Sequence, residues 1–349
     1  MRKDIDDQFD DDIRSQMLSA DEVNEITFVR SEDPPIYHSL PKSKDVALLL
    51  SHRVDQILKM EQVDSLVIPT GFKHFDKDFN GFGEGELVVI GGRPGMGKTM
   101  LMVSLALNIS ENHKVCFYNY DLSEQNLLSR FISALSDIPV QDIISYQRND
   151  ANDRKLFKAS EKIQHLQILM NSAINRNIET IRRGILREME NNSCKVFFID
   201  NLQSLKSQSH FQRRDLELGY ILTELKELAH KNKIVIVLSS QLNRSVEYRG
   251  GSKKPMLADL RDSGNIEQEA DKVILMHCPD YYGFLEDEYH RSLKGIMIVE
   301  MAKNRNGKLE QVCLLRAPEN TRVIDASEDF FKIDIASHRL DELDEDKPF

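Results

Sequence analysis

A short glycine-rich stretch carries the clearest chemistry in this sequence. GRPGMGKT (92–99) fits the pattern G-x-x-x-x-G-K-[ST], and it lies between an apolar run and a helical pattern. Glycines let backbone N–H groups approach phosphate oxygens, and a helix N-terminus adds partial positive charge. In such a loop Lys98 contacts the β- and γ-phosphates and Thr99 holds Mg²⁺. The context favours a nucleoside triphosphate site over a chance turn. The predicted nucleotide-binding residues are Gly92, Arg93, Pro94, Gly95, Met96, Gly97, Lys98, Thr99 and Met100.

Polar residues follow three other apolar runs. KVFFID ends on Asp200, VCFYNY is followed by Asp121, and Gln241 lies in SSQLNR. The carboxyl ends of parallel strands meet at one edge of an open α/β sheet, where ligands bind. Asp200 is therefore a candidate Mg²⁺ ligand, Asp121 a general base for water, and Gln241 a sensor of the γ-phosphate. A turn-forming role for Asp121 is the simpler alternative.

Apolar runs and helical patterns alternate along most of the chain, which predicts an α/β fold with a mainly parallel sheet covered on both faces. The last three apolar runs are joined by short links and predict an antiparallel extension. The predicted strands are 86–92, 115–120, 167–171, 195–200, 234–240, 272–278, 295–302 and 311–317. The predicted helices are 98–109, 124–135, 178–190 and 215–230.

The ends of the 349-residue chain differ from its centre. Residues 1–43 are acidic and weakly periodic, which predicts a disordered arm, and 336–349 form an acidic tail. Between them, 44–65 predicts an amphipathic helix and 66–335 the α/β domain. The apolar positions of that helix are Leu50, Val54, Ile57 and Leu58. The chain carries a net charge of −11 and lacks the roughly 20-residue apolar stretch of a membrane span, so we expect a soluble protein of the cell interior.

Several ordered blocks carry a family resemblance. They are TGFKHFDKDFNGF, GGRPGMGKT, YDLSEQNLLSR, FFIDNLQSL, SSQLNRSVEYR, LADLRDSGNIEQEAD and AKNRNG. The chain resembles the C-terminal, RecA-type ATPase domain of the DnaB family of replicative DNA helicases, from about Ile68 to Val323. The resemblance implies a RecA-like P-loop core, ATP with Mg²⁺, a homo-oligomeric ring that is usually a hexamer, and 5′ to 3′ movement on single-stranded DNA. It also implies a cytoplasmic, nucleoid-associated protein.

The resemblance also makes residue-level predictions at the nucleotide. The family carries a water-activating Glu where this sequence has Asp121. A carboxylate one methylene shorter moves the basic oxygen by roughly 1 Å, which can cost about 10²-fold in rate. A slower ATPase, a compensated site and a lesser role for this carboxylate all remain open. Lys303 and Arg305 in AKNRNG match family residues that reach the neighbouring subunit's nucleotide, although a solvated Asn-Gly hairpin would explain the same letters.

Further carried-over residues concern DNA. In the family the RDSG segment lines the central channel, so Arg261, Asp262, Gly264 and Arg244 are predicted single-strand contacts. From composition alone, RDSG is the capped start of a short surface helix. A basic loop beside it adds the positive charges of Arg249, Lys253 and Lys254.

The residues ahead of the α/β domain are too few for the family's N-terminal helical domain, while 44–65 occupies the place of its linker helix. Ring assembly is therefore expected, and any contact with a loader or primase would use a non-standard N-terminus. A RecA-like ATPase that acts as a switch or scaffold on DNA, without unwinding, is the alternative function. A nucleotide kinase is disfavoured because no substrate lid is evident.

Overall fold

The computed structural model describes residues 67–145, 149–171, 175–261 and 263–327, together with Val54. The predicted acidic arm, almost all of the linker helix and the acidic tail lie outside the described residues, so those three assignments stay predictions. The chain divides into two compact units, Met1–Val63 and Asp64–Phe349, and every element named below belongs to the second unit.

A nine-stranded sheet dominates the described residues, in the order β11-β10-β9-β8-β3-β7-β6-β4-β5, beside a small β1-β2 pair. The strands are β1 Val67–Ile68, β2 Phe82–Gly83, β3 Leu87–Gly92, β4 Val115–Asn119, β5 Ile168–Asn171, β6 Val196–Asp200, β7 Val235–Gln241, β8 Lys272–His277, β9 Ile296–Asn304, β10 Gln311–Arg316 and β11 Val323–Asp325. The α-helices are α1 Lys73–Phe79, α2 Lys98–Ser110, α3 Glu124–Ser136, α4 Val140–Ser145, α5 Asp150–Ile163, α6 Ile178–Asn192, α7 Arg214–Asn232, α8 Ser245–Tyr248 and α9 Ser263–Glu269.

The sheet has the predicted mixed topology. Strands β8, β3, β7, β6, β4 and β5 pair in parallel, while β9, β10 and β11 extend the β8 edge in antiparallel fashion. Each predicted strand lies within two residues of an observed one. The prediction of a mainly parallel sheet with antiparallel C-terminal strands is therefore confirmed.

Two hydrophobic clusters explain why the central strands read as continuous apolar runs. Along β3, Val88 and Ile90 pack into the cluster on the α2 face, whereas Leu87 and Val89 pack into the cluster that contains α7 residues such as Leu222. Alternate side chains of one strand are thus buried on opposite faces of the sheet, and both faces are covered. No helix in the described part of the chain is both long and apolar enough to cross a membrane.

The 14-residue helix α5 was not predicted from the sequence. Its N-terminus is capped by the Asn149 side chain, which accepts a 2.7 Å hydrogen bond from the Asn152 backbone N–H. Ala159 is its one buried residue and charged residues dominate the segment, so the apolar pattern on which periodicity analysis depends is sparse. Phe157, on the same helix, remains exposed.

Candidate nucleotide site and its links to the predicted DNA segment

The glycine-rich loop joins β3 to α2 and folds around the Lys98 ammonium group. Gly95 and Gly97 have φ values of +84° and +92°, a region that favours glycine, and α2 begins immediately after Gly97. Lys98 Nζ donates hydrogen bonds to the carbonyl oxygens of Gly92 (2.8 Å) and Arg93 (3.2 Å). The lysine is therefore held over a loop whose backbone has the shape of a phosphate cradle.

Two carboxylates act on the same ammonium group. Burial lowers the pKa of Lys98, and the negative charges of Asp200 and then Asp121 oppose that shift. This electrostatic contact places the ends of β4 and β6 beside the phosphate loop, as expected for parallel strands that meet at one sheet edge. The predicted convergence of these residues on one site is thus observed, while their roles in hydrolysis stay predictions.

The hydroxyl and carboxylate predicted to hold a metal ion are in contact. Thr99 Oγ1 donates to Asp200 Oδ2 at 2.7 Å, and Ser239 Oγ on β7 donates to Asp200 Oδ1 at 2.5 Å. Asp200 is 2% exposed, so its charge is directed at these partners and at the loop. No group of three or more acidic, His or Cys side chains that could hold a metal exists among the described residues. A hydroxyl with a single carboxylate nevertheless fits Mg²⁺, which usually keeps several waters and takes other ligands from substrate phosphates.

Asp121 lies in a turn that the Asn119 side chain stabilises. Asn119 Oδ1 accepts the backbone N–H groups of Asp121 (3.3 Å) and Leu122 (3.0 Å), and its Nδ2 donates to Leu122 O. The backbone N–H of Tyr120 donates to Asp200 O at 2.8 Å, which joins this turn to β6. Asp121 itself is exposed and makes no side-chain hydrogen bond to any described residue. The turn and the free carboxylate are therefore both present, with Asn119 supplying the turn.

Gln203 is a site residue that the sequence did not single out. Its Nε2 donates to Ser240 Oγ at 3.0 Å, and its Oε1 accepts the Gln241 backbone N–H at 3.2 Å. Gln203 lies in the short 3₁₀ turn after β6 and so fastens that turn to the end of β7. The contact depends on the adjacency of β6 and β7, and the sequence offered no local signal of it.

The predicted DNA segment pairs directly with the end of β7. The backbone N–H of Arg261 donates to Gln241 O at 3.3 Å, and Leu242 forms an antiparallel bridge with Leu260. Arg261 and Gly264 are exposed, and a Cβ built on Gly264 would meet nothing within 4 Å, so a ligand could reach that backbone. The third predicted contact of this segment, Asp262, lies outside the described residues.

The cations of the loop beside this segment make contacts within the chain. Arg249 pairs with Asp259 at 2.6 Å, Lys253 donates to Glu247 O at 3.0 Å, and Lys254 lies 3.2 Å from a Glu300 carboxylate oxygen. These contacts hold the three cations within the chain, and their contribution of positive charge beside the predicted DNA segment stays a prediction. Arg244 is exposed and has no side-chain partner in the described ranges.

Arg93 contributes its backbone to the phosphate loop while its side chain turns away. The guanidinium is 5% exposed and donates to Leu242 O (2.7 Å) and to Glu247 (2.7 Å). It thereby fixes the segment between β7 and α8 against the loop. Any contact of Arg93 with a nucleotide would therefore be made by its backbone.

Lys303 and Arg305 lie at the opposite edge of the sheet from the phosphate loop. Lys303 pairs with Val273 at the start of β8 and donates from Nζ to the Glu267 and Ala270 carbonyl oxygens, the latter at 2.6 Å. Burial lowers the pKa of Lys303. Arg305 Nη2 donates to Gln268 O at 2.6 Å, so both cations contact the C-terminal end of α9, where positive charge is favourable.

A parallel strand that runs into a glycine-rich loop and helix, with an acid at a neighbouring strand end, defines a P-loop nucleoside triphosphatase. Residues 67–325 match the family of the DnaB-like helicase C terminal domain. The chain is 34% identical over 255 residues to a probable plasmid replicative DNA helicase of Chlamydia psittaci, which covers 72% of this chain and 53% of that protein. It is 29% identical to the replicative DNA helicase DnaB of Geobacillus stearothermophilus, over 82% of this chain and 63% of that protein.

Two solved structures share the fold. An isolated ATPase domain superposes with a TM-score of 0.72 at 27% identity, covering 82% of this chain and all of that one. A DnaB-like replicative helicase, solved in a study of its interactions with primase, superposes with a TM-score of 0.71 at 26% identity, covering 82% of this chain and 68% of that one. The chain belongs to the DnaB-like helicase C-terminal domain family. The match spans little more than half of the Chlamydia protein's length.

Proposed function

We propose that this chain is an ATP-dependent DNA helicase that assembles into a ring, as a hexamer, and moves 5′ to 3′ along single-stranded DNA. ATP is the substrate that the phosphate loop holds, and DNA is the ligand of the Arg261 segment. The membership of the DnaB-like helicase C-terminal domain family supports this assignment. The relatives named as replicative DNA helicases support it further.

The observation that carries the proposal is the direct contact between the two binding segments. Gln241 ends the strand beside the phosphate loop, and its carbonyl oxygen accepts the Arg261 backbone N–H at 3.3 Å. Gln203 lies in the turn after β6, the strand that ends on Asp200. Its side chain bonds Ser240 and the Gln241 backbone N–H, and so joins the end of β6 to the end of β7. A change in the position of Gln241 at the γ-phosphate would therefore be passed directly to Arg261. ATP-driven translocation requires such a link between the nucleotide and the DNA contact.

The residues at the sheet edge have distinct chemical tasks in this proposal. Asp121 accepts a proton from the attacking water, and Lys98 stabilises the negative charge that develops on the phosphoryl oxygens. Thr99 and Asp200 would hold Mg²⁺, which when bound neutralises phosphate charge. Gln241 contacts the γ-phosphate and reports its loss to the DNA segment.

The position of Arg305 supports hydrolysis between subunits. Strand β9 runs antiparallel to β8, so Arg305 lies beyond Lys272, whereas Gly92 lies level with the other end of β8. The levels of Lys272 and Gly92 are about 13 Å apart along the strand direction, and the phosphate loop extends further away from Arg305. Arg305 therefore serves a neighbouring copy, in a head-to-tail contact that closes into a ring. Lys303 accompanies it, and an arginine supplied in this way can raise the rate by about 10³–10⁵.

Work on DNA replication or a related process would place the protein in the cytoplasm, at the nucleoid. The DnaB-like helicase of known structure was solved in a study of its interactions with primase, so a primase is the first partner to test for this chain. A helicase loader is a second partner to test.

ATP hydrolysis measured with and without oligo-dT, followed by unwinding of a forked duplex, tests the proposal. We expect DNA to stimulate turnover and the fork to open only with ATP. Stimulation by DNA without unwinding would favour the DNA-associated switch or scaffold. Absence of both DNA binding at low salt and stimulation would refute the helicase assignment.

A further inference from the structure

Tyr248 is the most exposed large hydrophobic side chain among the described residues. Its exposed fraction is 85%, and it ends the single-turn helix α8 that follows β7. The preceding turn is well anchored, because Val246 is buried and Glu247 pairs with Arg93 at 2.7 Å. A rigid backbone therefore presents an aromatic ring to solvent, and the ring has no packing role that would explain its size.

The residues on either side of Tyr248 are joined to the residue that lies two positions before Arg261. Arg249, the next residue, pairs with Asp259 at 2.6 Å, and the Asn243 backbone N–H donates to Asp259 O at 2.7 Å. These contacts close the loop between α8 and α9 at its base. Tyr248 is one residue before this closure and Arg261 is two residues after it, with adjacent Cα atoms 3.8 Å apart. Tyr248 and Arg261 are thus both attached at the closed base of the 249–259 loop.

Two arginines, Arg244 and Arg261, add positive charge at the base of the same loop. Arg244 precedes Tyr248 by one helical turn, so the two residues lie on the same side of the turn. The side chains of Arg244 and Arg261 are exposed and have no hydrogen-bond or ion-pair partner in the described ranges. The other cations of the loop are used to hold it together. The base of the loop thus carries one solvent-exposed ring and two guanidinium groups that have no partner among the described residues.

Single-stranded nucleic acid fits this combination better than a folded partner does. Exposed bases stack on aromatic rings, while guanidinium groups bind the phosphates that link them. We propose that Tyr248 stacks on a base of the single strand that Arg244 and Arg261 hold by its phosphates. This inference rests on the proposed function and adds a base contact to it. Stacking is tolerant of sequence, so Tyr248 would grip any base without selecting one.

The chain contains no tryptophan, which makes a direct test possible. Tyr248→Trp introduces one indole that retains the ability to stack, and oligo-dT should quench its fluorescence as the complex forms. The matched control is Tyr289→Trp, at an exposed tyrosine that lies against Arg291 in the β8–β9 connection. Quenching at position 248 with an unchanged signal at 289 is expected. Equal signals at the two positions, with binding measured independently, would overturn the inference.

Affinity measurements separate stacking from charge. Tyr248→Ala should weaken binding of oligo-dT by about 5- to 150-fold, and Tyr248→Phe should retain the wild-type value. The slope of log affinity against log salt should stay constant in Tyr248→Ala, whereas Arg261→Ala should reduce its magnitude by about 0.7. On an abasic oligonucleotide of equal length, Tyr248→Ala and wild type should bind alike.

The outcomes also distinguish this inference from the function on which it rests. If the wild-type protein binds no single strand at low salt, the proposed function fails. If the wild type binds but Tyr248→Ala binds oligo-dT equally well, only the stacking contact fails. Because the ring is exposed, the thermal unfolding midpoint of Tyr248→Ala should match that of the wild type, which provides the folding control.

Discussion

The carboxylate at Asp121 gives the sharpest prediction about catalysis. Asn119 builds the turn and Asp121 is exposed, so substitutions at 121 should leave the free energy of unfolding within about 0.5 kcal/mol of wild type. Asp121→Asn keeps the shape but cannot accept the proton of water, and the loss of general-base catalysis predicts a rate decrease of about 10²–10⁴. Asp121→Glu extends the carboxylate by roughly 1 Å toward the position used in the family, so hydrolysis should be retained or rise by up to about 10²-fold.

A second effect of the same substitution has to be measured separately. The charge of Asp121 raises the pKa of Lys98 against the lowering caused by burial, so Asp121→Asn also weakens the tendency of that lysine to stay protonated. Single-turnover hydrolysis of ATP on oligo-dT reports the chemical step, and the affinity for a non-hydrolysable ATP analogue reports the lysine. A slow Asn variant with near-normal analogue affinity supports the general base. Wild-type hydrolysis in Asp121→Asn would refute it.

Three further predictions concern contacts away from the reacting atoms. Gln203→Ala should lower the stimulation of ATP hydrolysis by DNA more than it lowers hydrolysis without DNA, because Gln203 links Ser240 to the Gln241 backbone; an equal loss in both assays would contradict this link. Lys272→Ala should destabilise the fold by about 3–5 kcal/mol in urea unfolding, since it leaves the buried Glu86 carboxylate without its 3.0 Å partner, and a Lys272→Met, Glu86→Leu double variant should recover most of the loss. Burial, reinforced by the charge of Lys254, lowers the pKa of His277 to about 4. The unfolded chain therefore binds this proton more readily, and the free energy of unfolding falls as the pH drops from about 6.5 toward 4. His277→Phe should show a shallower fall across that range.

The sequence predicted what local patterns encode. The phosphate loop, the apolar strands and the acids at their ends are contiguous signals, and the observed β3, β4 and β6 agree with them. Helix α5 was missed because charged residues dominate its sequence and Ala159 is its one buried residue, which leaves only a sparse apolar pattern. Its capping residue, Asn149, was the remaining signal, and one cap does not define a helix.

The contacts that organise the site are non-local and could not be predicted in this way. Arg93 and Glu247 are separated by 154 positions, yet they join the phosphate loop to the segment after β7. The pairing of Arg249 with Asp259 and of Lys254 with Glu300 also depends on the fold, which brings these residues together. Gln203 was likewise invisible until β6 and β7 became neighbours.

Mixed rings test whether the loop of one subunit and the arginine of its neighbour hydrolyse ATP together. Lys98→Ala removes the phosphate-loop lysine, and Arg305→Ala removes the group that would reach a neighbour. Each variant alone should be inactive, but random mixing pairs an intact loop with an intact arginine at about one interface in four. ATP hydrolysis on oligo-dT should therefore recover to a fraction of wild type in the mixture. No recovery, in rings shown by native mass spectrometry to contain both variants, would contradict the account.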